Sequence, residues 1–212
     1  MPHDTTPSRI KPALRQRLAL LGEILPIVIL LVIAISGIRI VFQPYQVVGA
    51  SMSPALANGE RLFVNRAAYS SIPIPGVGDV HPFSTPRRGD IVVLDSDKTD
   101  RHSPYIKRIV GLPGEKVSFT DGLVLIDGTP LVEDYIDGAI TACTRRLYCA
   151  VTVPPGYVYV LGDNRTDSED SRVFGPVPID DLVGRAWFGS WPKSRFGPIS
   201  RPDYGIPAIN GS

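Results

Sequence analysis

Ser51 stands in Gly49-Ala50-Ser51-Met52-Ser53-Pro54-Ala55-Leu56, where small residues let a second chain approach the backbone and Pro54 fixes a turn just past the hydroxyl. An exposed nucleophile needs that setting, although serine among glycine and proline is also ordinary turn composition. The hydroxyl needs a general base, and histidine is the usual one. None of the three histidines suits. His3 falls on the far side of a long apolar run, His81 precedes Pro82, and His102 sits in a charged stretch beside Ser103-Pro104. The remaining base is Lys107, in Tyr105-Ile106-Lys107-Arg108-Ile109-Val110. With the period of a strand, Tyr105, Lys107 and Ile109 share one face while Ile106, Arg108 and Val110 share the other. Apolar surroundings disfavour the ammonium form, so the lysine pKa moves from about 10.4 toward the range where a neutral amine acts as a base. The competing reading is a lysine snorkelling from a sheet edge.

The elements that must position these groups begin with a membrane segment. Residues 1–18 are polar, with Arg9, Lys11, Arg15 and Arg17 against Asp4 as the one acid, and Ile24 to Ile38 carries no charge. With its apolar flanks the run meets the roughly 20 residues a spanning helix needs, leaving Glu23 and Arg39 near the headgroups. The division is a cytoplasmic basic tail (1–23), a transmembrane helix (24–42), an extracytoplasmic domain (43–200) and a C-terminal tail (201–212) without evident structure. Basic residues before the helix keep the N-terminus inside, so the chain from Gln43 lies outside. Two other readings are a buried core helix and a signal peptide cleaved near Val48-Gly49-Ala50; in the latter the domain is still exported.

Among 212 residues, 22 basic side chains nearly cancel 21 acidic ones, which points to neither nucleic acid nor an acidic substrate. Twenty-one prolines, 20 glycines and many short Val/Ile runs favour a mainly β domain with frequent turns. Strands are expected at Arg61 to Asn65, Ile91 to Leu94, Tyr105 to Val110, Tyr157 to Leu161 and Leu182 to Trp191, with Ser70 to Pro86 a Pro/Gly-rich loop. Residues 116–153 read as an inserted β subdomain with a hairpin signal at Asp127-Gly128. It holds the only cysteines, Cys143 and Cys149, which outside the cytoplasm read as a disulfide, against two buried thiols. Zinc lacks ligands at suitable spacing there. The polar run from Gly162 to Gly175 is either an exposed loop or a hydrogen-bonded scaffold beside a charge-sensitive site.

Four blocks occur in one order: Gly49-Ala50-Ser51-Met52-Ser53-Pro54, Arg88-Gly89-Asp90-Ile91-Val92-Val93, Tyr105 through Gly114, and Gly162-Asp163-Asn164-Arg165 through Asp170-Ser171-Arg172. Together with the apolar helix they resemble the bacterial type I signal peptidases, from about Ile24 to Trp191. The resemblance implies an antiparallel-sheet catalytic domain with a small β subdomain behind one transmembrane helix. It also implies a Ser-Lys dyad that removes signal peptides from exported preproteins after Ala-x-Ala sites, near the export machinery, without metal or cofactor and without nucleic acid as partner. On it, Ser51 attacks, its N–H serves the oxyanion, and Lys107 is the general base. Ser168 orients the amine, Asp170–Arg172 and Asp163–Arg108 are supporting ion pairs, and Val47, Met52, Leu56 and Ile106 line the apolar subsites.

The chain departs from the family pattern in places. Gly49 stands where some members have a serine that aids the oxyanion hole, whose loss can cost ~3 kcal/mol. Ala55 replaces a common threonine, and Glu60 and Glu115 replace frequent aspartates. Rival functions are a peptidase dedicated to one partner, a membrane-anchored binding module that has kept only the fold, and a self-cleaving repressor-type protease. Retention of both Ser51 and Lys107 speaks against the binding module.

Overall fold

The computed structural model describes residues 12–70, 72–74, 78–80, 85–95, 104–136, 138–143 and 148–205; His3, His81, His102 and most of the expected loop from Asp95 to Ser103 fall outside them. The first element is α1 (Pro12–Val41), whose stretch from Ile24 to Ile38 is uncharged on every side rather than apolar along one stripe, the pattern of a helix surrounded by an apolar medium. Its segment Gly22–Val41 has a mean hydropathy of 2.8 and is long and apolar enough to cross a bilayer. Pro26 lies within α1, where its ring removes one backbone donor.

A separate compact unit runs from Val41. Its strands are β1 (Phe42–Gln46), β2 (Arg61–Asn65), β3 (Ile72–Ile74), β4 (Gly78–Val80), β5 (Ile91–Leu94), β6 (Tyr105–Gly111), β7 (Lys116–Thr120), β8 (Leu123–Ile126), β9 (Thr129–Pro130), β10 (Ala150–Thr152), β11 (Tyr157–Leu161), β12 (Val177–Pro178), β13 (Leu182–Trp191) and β14 (Gly197–Pro198). A short helix, α2 (Ser171–Phe174), follows β11. The main sheet has eight strands in the order β1-β2-β13-β5-β6-β11-β12, with β14 beside β13. All its pairs are antiparallel. The fold is mainly β, with one N-terminal apolar helix.

Strand β13 reaches its two neighbours through bulges, with register shifts against both β2 and β5. Gly184 is required there, because a Cβ would sit 2.4 Å from the carbonyl oxygen of Asn65. Strands β5 and β6 are buried along nearly their whole length, which accounts for their continuous apolar sequence. Residues 116–152 form a second, four-stranded sheet, β10-β7-β8-β9. It packs Val117, Val124 and Ile126 against Val110, Tyr159 and Leu161 of the main sheet. Cys143 and Cys149 are disulfide-bonded beside it.

Two expectations are corrected. The Pro/Gly-rich stretch from Ser70 contains a hairpin, β3 paired antiparallel with β4; proline is tolerated in a short ladder whose outer edge needs no donor. The C-terminal tail is structured as far as Gly205: Arg201 Nε donates to Asp90 Oδ1 at 2.5 Å, and Tyr204 is buried against the second sheet. Its polar, proline-rich sequence has no periodicity because single side chains, not a repeating face, hold it down.

Candidate active site

Strand β6 lies between β5 and β11, so Lys107 sits mid-sheet opposite Val92 and is only 1% exposed. That excludes snorkelling from an edge. Its Nζ donates to Ser51 Oγ at 2.9 Å. Burial lowers the amine's pKa to about 8, against the opposing pull of the Asp170, Glu169 and Asp163 charges. The Tyr105 ring, 5.2 Å from Nζ, belongs to the same face of the strand.

One position on, Arg108 points the other way, and its Nε and Nη2 grip the Asp163 carboxylate at 2.8 and 2.6 Å. Its Nη1 donates to the carbonyl of Gly89, and its guanidinium lies 4.3 Å from the centre of the Tyr135 ring. Burial disfavours this cation, but the bond and charge of Asp163 outweigh it and keep Arg108 protonated. The alternation read from the sequence thus separates the amine from the guanidinium by one strand position.

The polar run after β11 is a scaffold with buried ends, where Asp163, Arg165, Asp170, Ser171 and Arg172 are all buried, around an exposed middle of Thr166, Asp167 and Glu169. Asp170 accepts from Arg172 Nε and Nη2, both at 2.8 Å, from the Gly162 N–H at 3.1 Å, and caps α2 through the Arg172 N–H. Arg172 also donates to the carbonyl of Ala142, beside the disulfide. Gly162 must lack a side chain, since a Cβ there would lie 2.1 Å from Ser168 Oγ and 2.5 Å from the carbonyl oxygen of Ser51. That carbonyl accepts from the Asn164 N–H at 3.0 Å, and Asn164 Nδ2 donates to the Ala50 carbonyl at 3.2 Å. The Ser168 hydroxyl is buried close by and makes no hydrogen bond, to Lys107 or to any other described residue.

Val47, Met52, Leu56 and Ile106 are all buried in one apolar cluster with Leu62, Val64, Ile91, Val93 and Ala186, directly behind Ser51. The structure therefore joins Lys107 to Ser51, places Ser168 and the Ser51 carbonyl on either side of Gly162 and collects the four apolar residues in one cluster, while Arg108–Asp163 lies on the opposite face of β6. The carbonyl of Ala142, next to Cys143, accepts from Arg172 Nη1. Among the described residues no group of His, Cys, Asp or Glu side chains is placed to hold a metal ion.

Several supporting contacts join the quoted blocks to residues outside them. Arg165 uses every donor: Nε to the Gly162 carbonyl, Nη1 to Glu133 and Thr141, and Nη2 to Glu133 and the Tyr135 hydroxyl. It thereby ties the polar run to the inserted segment. Glu115, a departure from the family pattern, pairs with Arg88 at 2.6 Å and accepts from the Leu112 N–H. Only a fold that joins distant segments makes these partners visible.

A family model described as "Signal peptidase, peptidase S26" matches residues 20–191. The signal peptidase I of Bacillus caldolyticus is 36% identical over 166 residues, covering 74% of this chain and 83% of that one. The probable signal peptidase I-1 of Synechocystis sp. is 36% identical over 173 residues, 82% of this chain and 83% of that one. Signal peptidase IB of Staphylococcus aureus is 32% identical over 191 residues, 84% and 92% respectively. The crystal structure of a signal peptidase I from Enterococcus faecalis V583 is 34% identical and has a TM-score of 0.41, covering 48% of this chain and 96% of that one. The chain belongs to the signal peptidase family, the serine peptidases that remove signal peptides from preproteins.

Proposed function

We propose that this signal peptidase works by a Ser-Lys dyad, anchored to the membrane by α1 with its catalytic unit on the extracytoplasmic side. The observation that carries the reading is the 2.9 Å contact between the buried Lys107 amine and the Ser51 hydroxyl. At pH 7 an amine of pKa about 8 is neutral in roughly a tenth of the molecules, enough to serve as a base. Neutral Lys107 takes the hydroxyl proton as Ser51 Oγ bonds to the scissile carbonyl carbon. The resulting ammonium gives a proton to the leaving amine as the peptide bond breaks, and a water activated by the same amine then hydrolyses the acyl-serine. The N–H of Ser51, which makes no hydrogen bond within the described residues, is free to donate to the oxyanion.

We assign to Ser168 the orienting of the neutral amine: its buried hydroxyl, without a partner among the described residues, would donate to Lys107 when it turns toward Nζ. Asp170–Arg172 and Asp163–Arg108 hold the frame. The buried apolar residues Val47, Met52, Leu56 and Ile106 leave shallow subsites that suit small side chains, hence cleavage at Ala-x-Ala sites of preproteins emerging from the export machinery. Basic residues before α1 keep the N-terminus cytoplasmic.

The test is cleavage of a preprotein with an Ala-x-Ala site by the detergent-solubilised chain, compared with Ser51→Ala, Lys107→Ala and Lys107→Arg. Site-specific cleavage by the parent and loss in all three supports the dyad. Substantial turnover by Lys107→Arg, which cannot supply a neutral base, refutes it.

A further inference from the structure

The turn that carries Ser51 is held at its near end by Asn164, through the carbonyls of Ala50 and Ser51. Its far end is held from a different part of the chain. Arg195, in the 3-10 turn Lys193–Arg195 after β13, donates through Nη1 to the Ala55 carbonyl at 2.9 Å and through Nη2 to the Pro54 carbonyl at 3.2 Å. Its Nε lies 3.6 Å from Oε1 of Glu60, whose side chain is 8% exposed. The backbone of Arg195 is itself fixed: its N–H donates to the Pro192 carbonyl, and its own carbonyl packs where a Cβ on Gly189 would stand, 2.5 Å away.

Packing against the apolar cluster holds one side of Leu56. On the other side Ala55, Leu56 and Glu60 border an open cavity of about 340 Å³ whose other walls include Ile91, Arg195 and Ile199, so there the turn has no close-packed support. The carbonyls of Pro54 and Ala55 make no other hydrogen bond among the described residues. Leu56, next along the chain, is the apolar residue whose place those carbonyls set, and its N–H closes the turn on the Met52 carbonyl. A forked guanidinium spanning two successive carbonyls fixes both position and orientation, which a lysine ammonium does less well.

The geometry points to Arg195 as a positioning residue that sets which side chain the enzyme accepts immediately before the cleaved bond, by holding Leu56 at the subsite and Ser51 at its distance from Lys107. The assignment rests on the reading of Ser51 as nucleophile and of Leu56 as a subsite residue. Because the Arg195 side chain is 47% exposed, its removal leaves the cores intact. The widened turn then admits larger residues while alanine is held less well.

The experiment measures kcat and KM of the full chain in detergent on preproteins carrying alanine, serine, valine or leucine before the cleaved bond, for the parent, Arg195→Ala and Arg195→Lys, with Tm recorded for each. Expected for Arg195→Ala is a fall of at least about fivefold in kcat/KM on the alanine substrate and a narrowed preference for alanine over valine. Tm stays within a few degrees of the parent, and Arg195→Lys recovers part of the preference. The assignment is overturned if the alanine/valine preference of Arg195→Ala stays within twofold of the parent, or if all four substrates lose equally with a large fall in Tm. A separate Ser51→Ala control keeps the two readings apart: cleavage surviving there refutes the nucleophile, whatever Arg195 does.

Discussion

Lys107 carries opposite demands of stability and function in one side chain. Its folded pKa of about 8 lies below that of an unfolded lysine, so the unfolded chain binds more protons across the interval between them. The sign follows: the charged amine destabilises the fold by about 3 kcal/mol below pH 8, and the penalty disappears as pH rises toward the ordinary lysine value. Lys107→Met, which fills the same space without charge, is expected to raise Tm at pH 7 while abolishing cleavage, as a thermal melt beside an activity assay will tell. For the parent, kcat/KM is expected to climb with pH along a limb centred near 8, the pH at which the base becomes neutral. A flat profile from pH 6 to 9 on a substrate that does not itself titrate would remove the lysine from the base role. Gly162→Ala places a methyl against the Ser51 backbone, and a displacement of that kind near the nucleophile costs about 100-fold in rate. Its kcat/KM and Tm, measured together, separate displacement of the nucleophile from unfolding.

Among the elements, the C-terminal segment and the disulfide loop are the two whose contribution is least apparent from composition. Tyr204 is 5% exposed within the cluster that joins the two sheets, so Tyr204→Ala is expected to destabilise the fold by about 3 kcal/mol, read in a denaturant titration. The Cys143–Cys149 bond closes a short loop, worth about 2 kcal/mol in the chain-entropy account, and that loop meets Arg172 through Ala142. Which of these features could be read beforehand follows from their physics. Strands β5, β6, β11 and β13 announce themselves because a buried strand is a run of apolar residues, and the amine face of β6 because alternation is local. The Asp163–Arg108 and Asp170–Arg172 pairs are legible only through family resemblance. Arg165–Glu133, Arg195 and Tyr204 are legible from neither, because each is a single side chain meeting a distant segment, and periodicity carries no record of such meetings. The hairpin β3–β4 was obscured by its prolines and glycines, which signal turns more strongly than three-residue strands signal pairing.

At the scale of the whole molecule, an apolar helix and a catalytic unit with its own cores are joined in one chain. The unit from Val41 contains all three hydrophobic clusters, so a chain lacking residues 1–40 is expected to fold and to cut a short peptide with an Ala-x-Ala site. It should lose most of its rate on a preprotein embedded in vesicles, where α1 no longer concentrates enzyme beside substrate. Comparing the two chains on both substrates tests this; equal rates on vesicles would mean that the helix does not concentrate enzyme beside its substrate. The orientation of the anchor is read by protease added outside sealed cells, which should reach the catalytic unit and spare an N-terminal tag.

The alternation of Lys107 and Arg108 on β6 has a consequence for how this chain can change length. Sliding β6 by one residue against β5 and β11 would bring Arg108 to the serine hydroxyl and Ile109 to Asp163 in one direction, or Ile106 to the serine and Lys107 to Asp163 in the other. A single added residue that shifts this register is a frameshift in space that breaks the pairing of amine with hydroxyl or of guanidinium with carboxylate, and a pair of residues keeps the faces but still displaces Lys107 from Ser51. A library of one- and two-residue insertions through β6, selected for secretion, should recover survivors only where Lys107 and Arg108 keep their places opposite Val92 and Ile91.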